Sequence, residues 1–383
     1  MSAEKCVQTA ELSPMTQSDL ATTAPSTPLA TLLATAAKPS PLVEYHSVFT
    51  LRELDVPATE TAALTSGAAV HDLGWLRRVA VRGRDRFRWL SGMVSNMVRD
   101  LPPNGGAWNL VLNSQGRIQG DLNVWRDGDE LELEICADQY KKLMAHLEHF
   151  IIMDDVELLP LGQETGGSET VLGLTGPHAD EVLKRMGLPT LPEPMSSARV
   201  EWNGLDLKIL RAYGAIVPHY ELWTPAAGLT RLWRTLSTAG ALPVGVVALE
   251  AFRIAEGIPN YGVDMAERDL PQETSQLRAL HFNKGCYLGQ EIVERIRSRG
   301  NVHRHLRSLE LMGPLPLPGT ELKLEGEVVG EVTSAAELSL ESGKRSFGLG
   351  MVRAEAEARN LPLSYADGTR EGAAHLLSAP PSF

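Results

Sequence analysis

VAVRGRDRFRWLSGM, residues Val79–Met93, and TVLGLTGPHADEVLKRM, residues Thr170–Met186, state one pattern twice: alternating apolar residues, a glycine, then an amphipathic stretch. The alternation predicts a strand, because successive side chains of an extended chain point to opposite faces. After the glycine of the first copy, Phe87, Leu90 and Val94 recur at three- and four-residue spacing. That period predicts a helix over Arg84–Met93. Two such units in one chain point to two related α+β layers.

The pattern extends in both directions. Arg78–Val81, Trp108–Leu112 and Leu131–Ile135 read as strands, and Leu143, Leu147 and Phe150 give helical period to Tyr140–Ile151. A third strand-like piece, Leu205–Arg211, leads through HYELW to a helix at Leu229–Thr238. After Val302 the text changes. LRSLELM, ELKL, EVVGEVTS and SFGLGMV are short, alternating and punctuated by glycine, with no helix of length among them. A small antiparallel barrel suits such strands, and the tail of residues 302–383 is read as that. The class is α+β with an all-β C-terminal part.

Composition narrows the function classes. With 383 residues, 43% hydrophobic and 22% charged, the chain is long enough for two or three cores. A net charge of −12 argues against nonspecific nucleic-acid binding, which needs a basic surface. No apolar run is long enough to span a membrane. Three cysteines, Cys6, Cys136 and Cys286, are too few for a disulfide framework and indicate a reducing compartment, so the expectation is a cytoplasmic protein. They cannot supply the four thiolates of an iron-sulfur cluster, and no spaced pair reads as a zinc site, so no metal is expected. Residues 1–43 are rich in Ala, Thr, Ser and Pro and read as a disordered extension.

One segment breaks the acidic trend: HFNKGCYLGQEIVERIRSRGNVHRHL, His281–Leu306. Between Arg278 and Arg307 there are seven Lys or Arg against Glu291 and Glu294. Taken singly these are solvated side chains; together they make a local anion site. Ile292, Val293 and Ile296 predict a helix over Gly289–Ser298 closed by Gly300. Cys286 precedes that helix. The positive end of the helix dipole and the Lys284 ammonium would both favour a thiolate there. The alternative is a small buried residue without chemistry.

The run Lys284-Gly285-Cys286-Tyr287-Leu288-Gly289-Gln290-Glu291 resembles the K-G-C-Y-x-G-Q-E signature of the YgfZ family, folate-binding relatives of the glycine-cleavage aminomethyltransferase. The resemblance runs from about Glu44 through LNSQGRIQGDLNVW, HYELWTP and VALEAFRIAEGIPNYGVDM. It implies a three-domain cloverleaf: two α+β domains, interleaved in sequence over residues 44–301, around a central tetrahydrofolate channel, and a C-terminal β-barrel. It also implies a role in maturation or repair of iron-sulfur enzymes, with those enzymes or assembly proteins as partners beside the reduced folate.

By the same resemblance Asp121 approaches the folate nitrogens and Glu221 pairs with the pterin ring. Arg253 matches one of two arginines of the transferase pocket. The other arginine position is Leu249 here, and the paired acids of the transferase are Gly120-Asp121. Both departures weigh against transferase chemistry. Cys286 with Lys284 would form the reactive group, Asp121 would serve both ligand and chemistry, and Tyr287 and Gln290 would complete the folate contacts. Two functions stand open: a folate-binding accessory factor using Cys286, and a folate-dependent aminomethyltransferase using Asp121.

Overall fold

The computed structural model describes residues 24–34, 40–161, 169–300 and 302–383. Its two copies of the strand-glycine-helix pattern open two separate sheets. In the first, strand Leu76–Arg82 turns at Gly83 into helix Arg86–Met93; in the second, Glu169–Thr175 turns at Gly176 into helix Ala179–Arg185. Both glycines are obligatory. They have φ of 99° and 133°, and a Cβ would stand 1.9 Å from the Asp155 carbonyl oxygen in one case and 2.5 Å from that of Gly67 in the other.

The first sheet has the order Gly106–Leu112, Ile118–Asp127, Glu130–Cys136, Leu76–Arg82, Glu157–Leu161, antiparallel throughout. Helices Arg86–Met93 and Ala137–His149 bury Leu90, Leu143 and Leu147 on one face of it. The second sheet runs Ser196–Trp202, Leu205–Ala212, His219–Pro225, Glu169–Thr175, Ala69–Asp72, Leu242–Val244, with only the last pair parallel. Helices Ala179–Arg185 and Leu229–Thr238 cover it through Leu183, Leu232 and Leu236. Each such leucine stabilises the fold by roughly 1.5–3 kcal/mol relative to exposure. Because Ala69–Asp72 joins the second sheet before the first is built, the two units interleave in sequence, as the resemblance implies.

Apolar packing and buried ion pairs join the sheets. Trp125 of the first packs with Val171, Leu210 and Trp223 of the second. Beside them Glu132 is ion-paired to Arg78 of its own sheet and, at 2.7 Å, to Lys208 of the other, all three being buried.

The C-terminal barrel closes in the order Arg304–Met312, Gly343–Arg353, Glu327–Leu340, Glu321–Leu324, Leu363–Asp367, Arg370–Leu376, with one short helix, Ala354–Arg359. Helix Val246–Glu256 seats it. Ala251, Ile254 and Ala255 face Leu306, Leu338 and Phe347 of the barrel, while Ala248 and Phe252 face Val244 of the second sheet.

The expected disordered extension is corrected in part. Residues 1–23 and 35–39 lie outside the described residues, but Pro28–Leu33 is a helix capped by Thr27, whose side chain also bonds Asp72. Leu29 and Ala30 are fully buried in the core of the second sheet. Strand Leu42–Tyr45 likewise begins before residue 44.

Candidate functional site

Where the Trp125–Trp223 cluster ends, the sheets part around a cavity of about 260 Å³. Its walls come from both sheets, from helix Val246–Glu256, from Pro259 and Asn260, and from Arg278. Asp121, Glu221 and Arg253 all line it; Lys284, Cys286, Tyr287 and Gln290 do not.

Asp121 is the fourth residue of strand Ile118–Asp127. Its Oδ2 accepts the indole N–H of Trp108 at 2.8 Å and its Oδ1 the side-chain amide of Gln139 at 2.9 Å. Burial holds its carboxyl above the usual range, offset by those two bonds. Gly120 belongs to the other face of the strand. A Cβ there would meet Gln139 Oε1 at 2.7 Å and Leu143 at 2.8 Å, beneath helix Ala137–His149. A side chain at 120 would therefore be directed away from the cavity, and Asp121 is the carboxyl this strand presents to it.

Glu221 enters from strand His219–Pro225 and takes the indole N–H of Trp223 at 3.1 Å. It is also hydrogen-bonded to Glu134 of the first sheet, and burial together with that neighbouring carboxylate pushes its carboxyl well up. Asn123 at 2.8 Å and Trp125 at 3.2 Å donate to the two oxygens of Glu134. Those two donors orient Glu134, and burial beside it favours the protonated form of Glu221. Two carboxyls in one dry wall cannot both ionise.

On the same wall Thr175 Oγ1 stands 2.9 Å from His71 Nε2 and 2.6 Å from His219 Nδ1. The two rings stack at 5.7 Å. Burial lowers His71 to about 3, helped by His219, and His219 to about 4, so both are neutral at pH 7. Gly173 makes room, since a Cβ there would lie 1.9 Å from His71 Cε1.

Arg253 lines the cavity but is already answered. Its guanidinium pairs with Glu250 at 2.5 Å and with Asp264 at 2.8 Å, and reaches Ser334 of the barrel at 3.5 Å. Glu250 and Asp264, despite the desolvation of the site, hold it charged. It locks helix Val246–Glu256 to the loop and barrel while still lining the cavity. Leu249, one turn earlier, contributes an apolar wall.

The cysteine segment keeps its expected helix but not its expected charge partner. Helix Gln290–Arg299 begins four residues after Cys286, behind Gly289 in the left-handed conformation. Cys286 is exposed. Lys284 Nζ donates to the carbonyl oxygens of Val94, at 2.6 Å, and of Asn96. Burial lowers it to about 7. An amine spent on two carbonyls and titrating near neutrality favours a thiolate less than the free ammonium expected beside Cys286. Tyr287 is buried with Trp108, Leu112 and Val293 and packs behind the cavity wall; among the described residues its hydroxyl has no hydrogen-bond partner. Gln290 Oε1 accepts the Tyr287 N–H at 3.2 Å, closing the loop. These two shape the segment rather than the cavity.

The basic run is also largely neutralised. Arg297 pairs with Glu294 at 3.4 Å, Arg304 with Asp269 at 2.7 Å and Glu273 at 3.2 Å, and Arg307 with Glu357.

Glu134, His71, His219, Trp108 and Arg278 escaped the sequence reading, as did one group able to hold a cation. The ligand atoms of His46, Cys136 and Asp138 lie within 4.8 Å of one another at the cavity rim. His46 and Asp138 already pair at 3.0 Å.

Two interleaved α+β sheets around a cavity, with a six-stranded barrel seated beside them, define an aminomethyltransferase-type fold. The GCVT N-terminal domain matches residues 43–284, and the chain belongs to that family. An aminomethyltransferase of Geobacillus kaustophilus is 28% identical over 310 residues, 78% of this chain and 83% of that one. A chloroplastic protein of Arabidopsis thaliana named as a transferase is 25% identical over 302 residues, 77% of this chain and 67% of that one. The crystal structure of the glycine cleavage system aminomethyltransferase T from Bartonella henselae superimposes with a TM-score of 0.81 at 20% identity, covering 93% of this chain and 97% of that one. Among the described residues no helix is long and apolar enough to cross a membrane.

Proposed function

We propose that the chain binds a reduced folate, tetrahydrofolate, in the cavity and acts as a YgfZ-type accessory factor for iron-sulfur enzymes, presenting Cys286 as its exposed thiol. The observation that carries the folate half is the Glu221–Glu134 pair. A reduced pterin offers adjacent N–H groups, and a carboxylate accepts two such bonds side by side. On binding, the shared proton passes to Glu134, and Glu221 accepts those bonds as the carboxylate. Asp121, kept largely out of water and oriented by Trp108 and Gln139, suits a place beside the ligand amine nitrogens, where it can accept a hydrogen bond or a proton.

Cys286, outside the cavity and open to solvent, supports the accessory half: a thiol so placed can meet a macromolecular partner while the folate stays enclosed. Leu249, apolar where the resemblance expects an arginine, favours it over group transfer.

A second reading, aminomethyl transfer, is favoured by the relatives bearing that name and by Asp121, since the missing acid at Gly120 would not have faced the cavity. Complementation of a strain lacking its own YgfZ-type protein separates the two. The accessory reading expects Cys286→Ala to lose rescue of iron-sulfur enzyme activity while keeping tetrahydrofolate affinity. Full rescue by Cys286→Ala, with glycine-cleavage activity that depends on Asp121, would establish the transferase instead.

A further inference from the structure

Arg278 is a half-buried cation on the cavity wall that no carboxylate of the described residues pairs. Its guanidinium carbon lies 4.1 Å from the ring centre of Trp108 and 3.9 Å from that of Tyr213. Nε donates to Gln276 Oε1 at 3.2 Å, and among the described residues neither terminal nitrogen forms a hydrogen bond or an ion pair. The acids that act on it are engaged elsewhere. Asp121 is held by Trp108 and Gln139, and Glu256 accepts the backbone N–H of Ile216 at 2.9 Å, burial raising its carboxyl to about 7. Burial itself pulls Arg278 down to about 10.

Taking a guanidinium out of water without an anion is costly, and two ring faces offset only part of that. The arrangement nevertheless suits a purpose. The rings occupy the flat of the guanidinium and Gln276 occupies Nε, which leaves the edge formed by the two terminal nitrogens. That edge matches a carboxylate in a bidentate way. Its position is equally telling. Arg278, Tyr213, Glu256 and Ile258 line both the central cavity and a second one of about 390 Å³ beside the barrel, so they form the wall between the two.

We propose that Arg278 is the anchor for a carboxylate of the cavity ligand, received edge-on at the passage between the two cavities. One guanidinium flanked by Asp121 and Glu256 balances a single negative charge, which favours a carboxylate over a doubly charged phosphate. The inference rests on the reduced-folate reading, in which the carboxylate belongs to the glutamyl tail; Arg278 then supplies, from another segment, the charge that Leu249 does not.

Calorimetric titration of the full chain with tetrahydrofolate, and with tetrahydropterin lacking the benzoylglutamate, tests this on wild type, R278M and R278K. Loss of a charge-assisted bidentate contact predicts roughly tenfold to a hundredfold weaker tetrahydrofolate binding by R278M. Tetrahydropterin binding should stay within about twofold of wild type by the same reasoning, since that ligand has no carboxylate. R278K should fall between, and an inorganic phosphate titration of wild type should show no binding that R278M loses. R278M or R278K binding tetrahydrofolate as tightly as wild type would overturn the anchor alone. Wild type binding neither pterin compound would overturn the folate reading and the anchor together. Thermal melts accompany each variant, and R278M should melt within a few degrees of wild type, since methionine keeps the packing between Trp108 and Tyr213 and removes a half-buried, unpaired charge.

Discussion

Glu221 and Glu134, one from each sheet, share a hydrogen bond across the cavity wall, and burial holds the proton on Glu221. Because the folded-state carboxyl titrates above its unfolded value, its contribution to stability is complete at acid pH and declines as pH rises toward the folded value. Glu221→Gln keeps a donor for Glu134 without this titration. Thermal melts from pH 5 to 8 should therefore show the variant gaining on wild type as pH rises. A constant difference across that range would mean the pair shares no proton.

His71 and His219 slope the other way. Both are held neutral, with folded values of about 3 and about 4 against an unfolded value of about 6.5. The unfolded chain takes up protons first, so stability should fall as pH drops from about 6.5 toward 4. Each is worth on the order of 3 kcal/mol. Urea midpoints should fall more steeply with acid in wild type than in His219→Gln; parallel lines would remove the histidines from the acid response.

Glu132 anchors the junction of the sheets through Arg78 and Lys208. Removing it leaves Arg78 with Glu169 at 2.7 Å and Lys208 with Asp127 at 3.4 Å, each less enclosed, so Glu132→Ala should cost about 1–3 kcal/mol. Chemical denaturation measures this, and a loss below about 1 kcal/mol, the scale of a surface pair, would contradict the clamp.

Cys286 and Cys136 should differ sharply in reactivity. Cys286 is exposed, whereas burial and the carboxylates of Asp138 and Asp121 push the Cys136 thiol well up. Peptide mapping after brief alkylation should find Cys286 modified and Cys136 intact. Lys284→Met should leave the pH profile of Cys286 alkylation in place, since an amine titrating at about 7 is neutral where a free thiol ionises, near 8.5. A profile displaced toward higher pH in that variant would restore Lys284 as the activating group.

The legible parts of the fold were those with an unbroken period. Helix Leu229–Thr238 and strand Leu205–Ala212 follow directly from apolar spacing. Helix Pro28–Leu33 was hidden because only Leu29 and Ala30 are fully buried within an Ala, Thr and Pro-rich context, and what orders it is a distant partner, Asp72. The site divides similarly. Asp121 and Glu221 were reached through resemblance to a family. Glu134, Thr175 and Arg278 carry no local signal, because their meaning depends on which strand faces which. Lys284 was misread for the same reason: its partners, Val94 and Asn96, lie far back in the chain.

The most direct test of the central claim is calorimetric titration of the wild-type chain and of Glu221→Ala with tetrahydrofolate at neutral pH. The cavity reading predicts one site per chain with micromolar affinity, about −8 kcal/mol. It also predicts a marked loss in Glu221→Ala, where the pterin N–H groups are buried without an acceptor. The contrary result is absence of heat at millimolar ligand, or equal affinity in the two proteins; either would place the ligand outside the Glu221 wall.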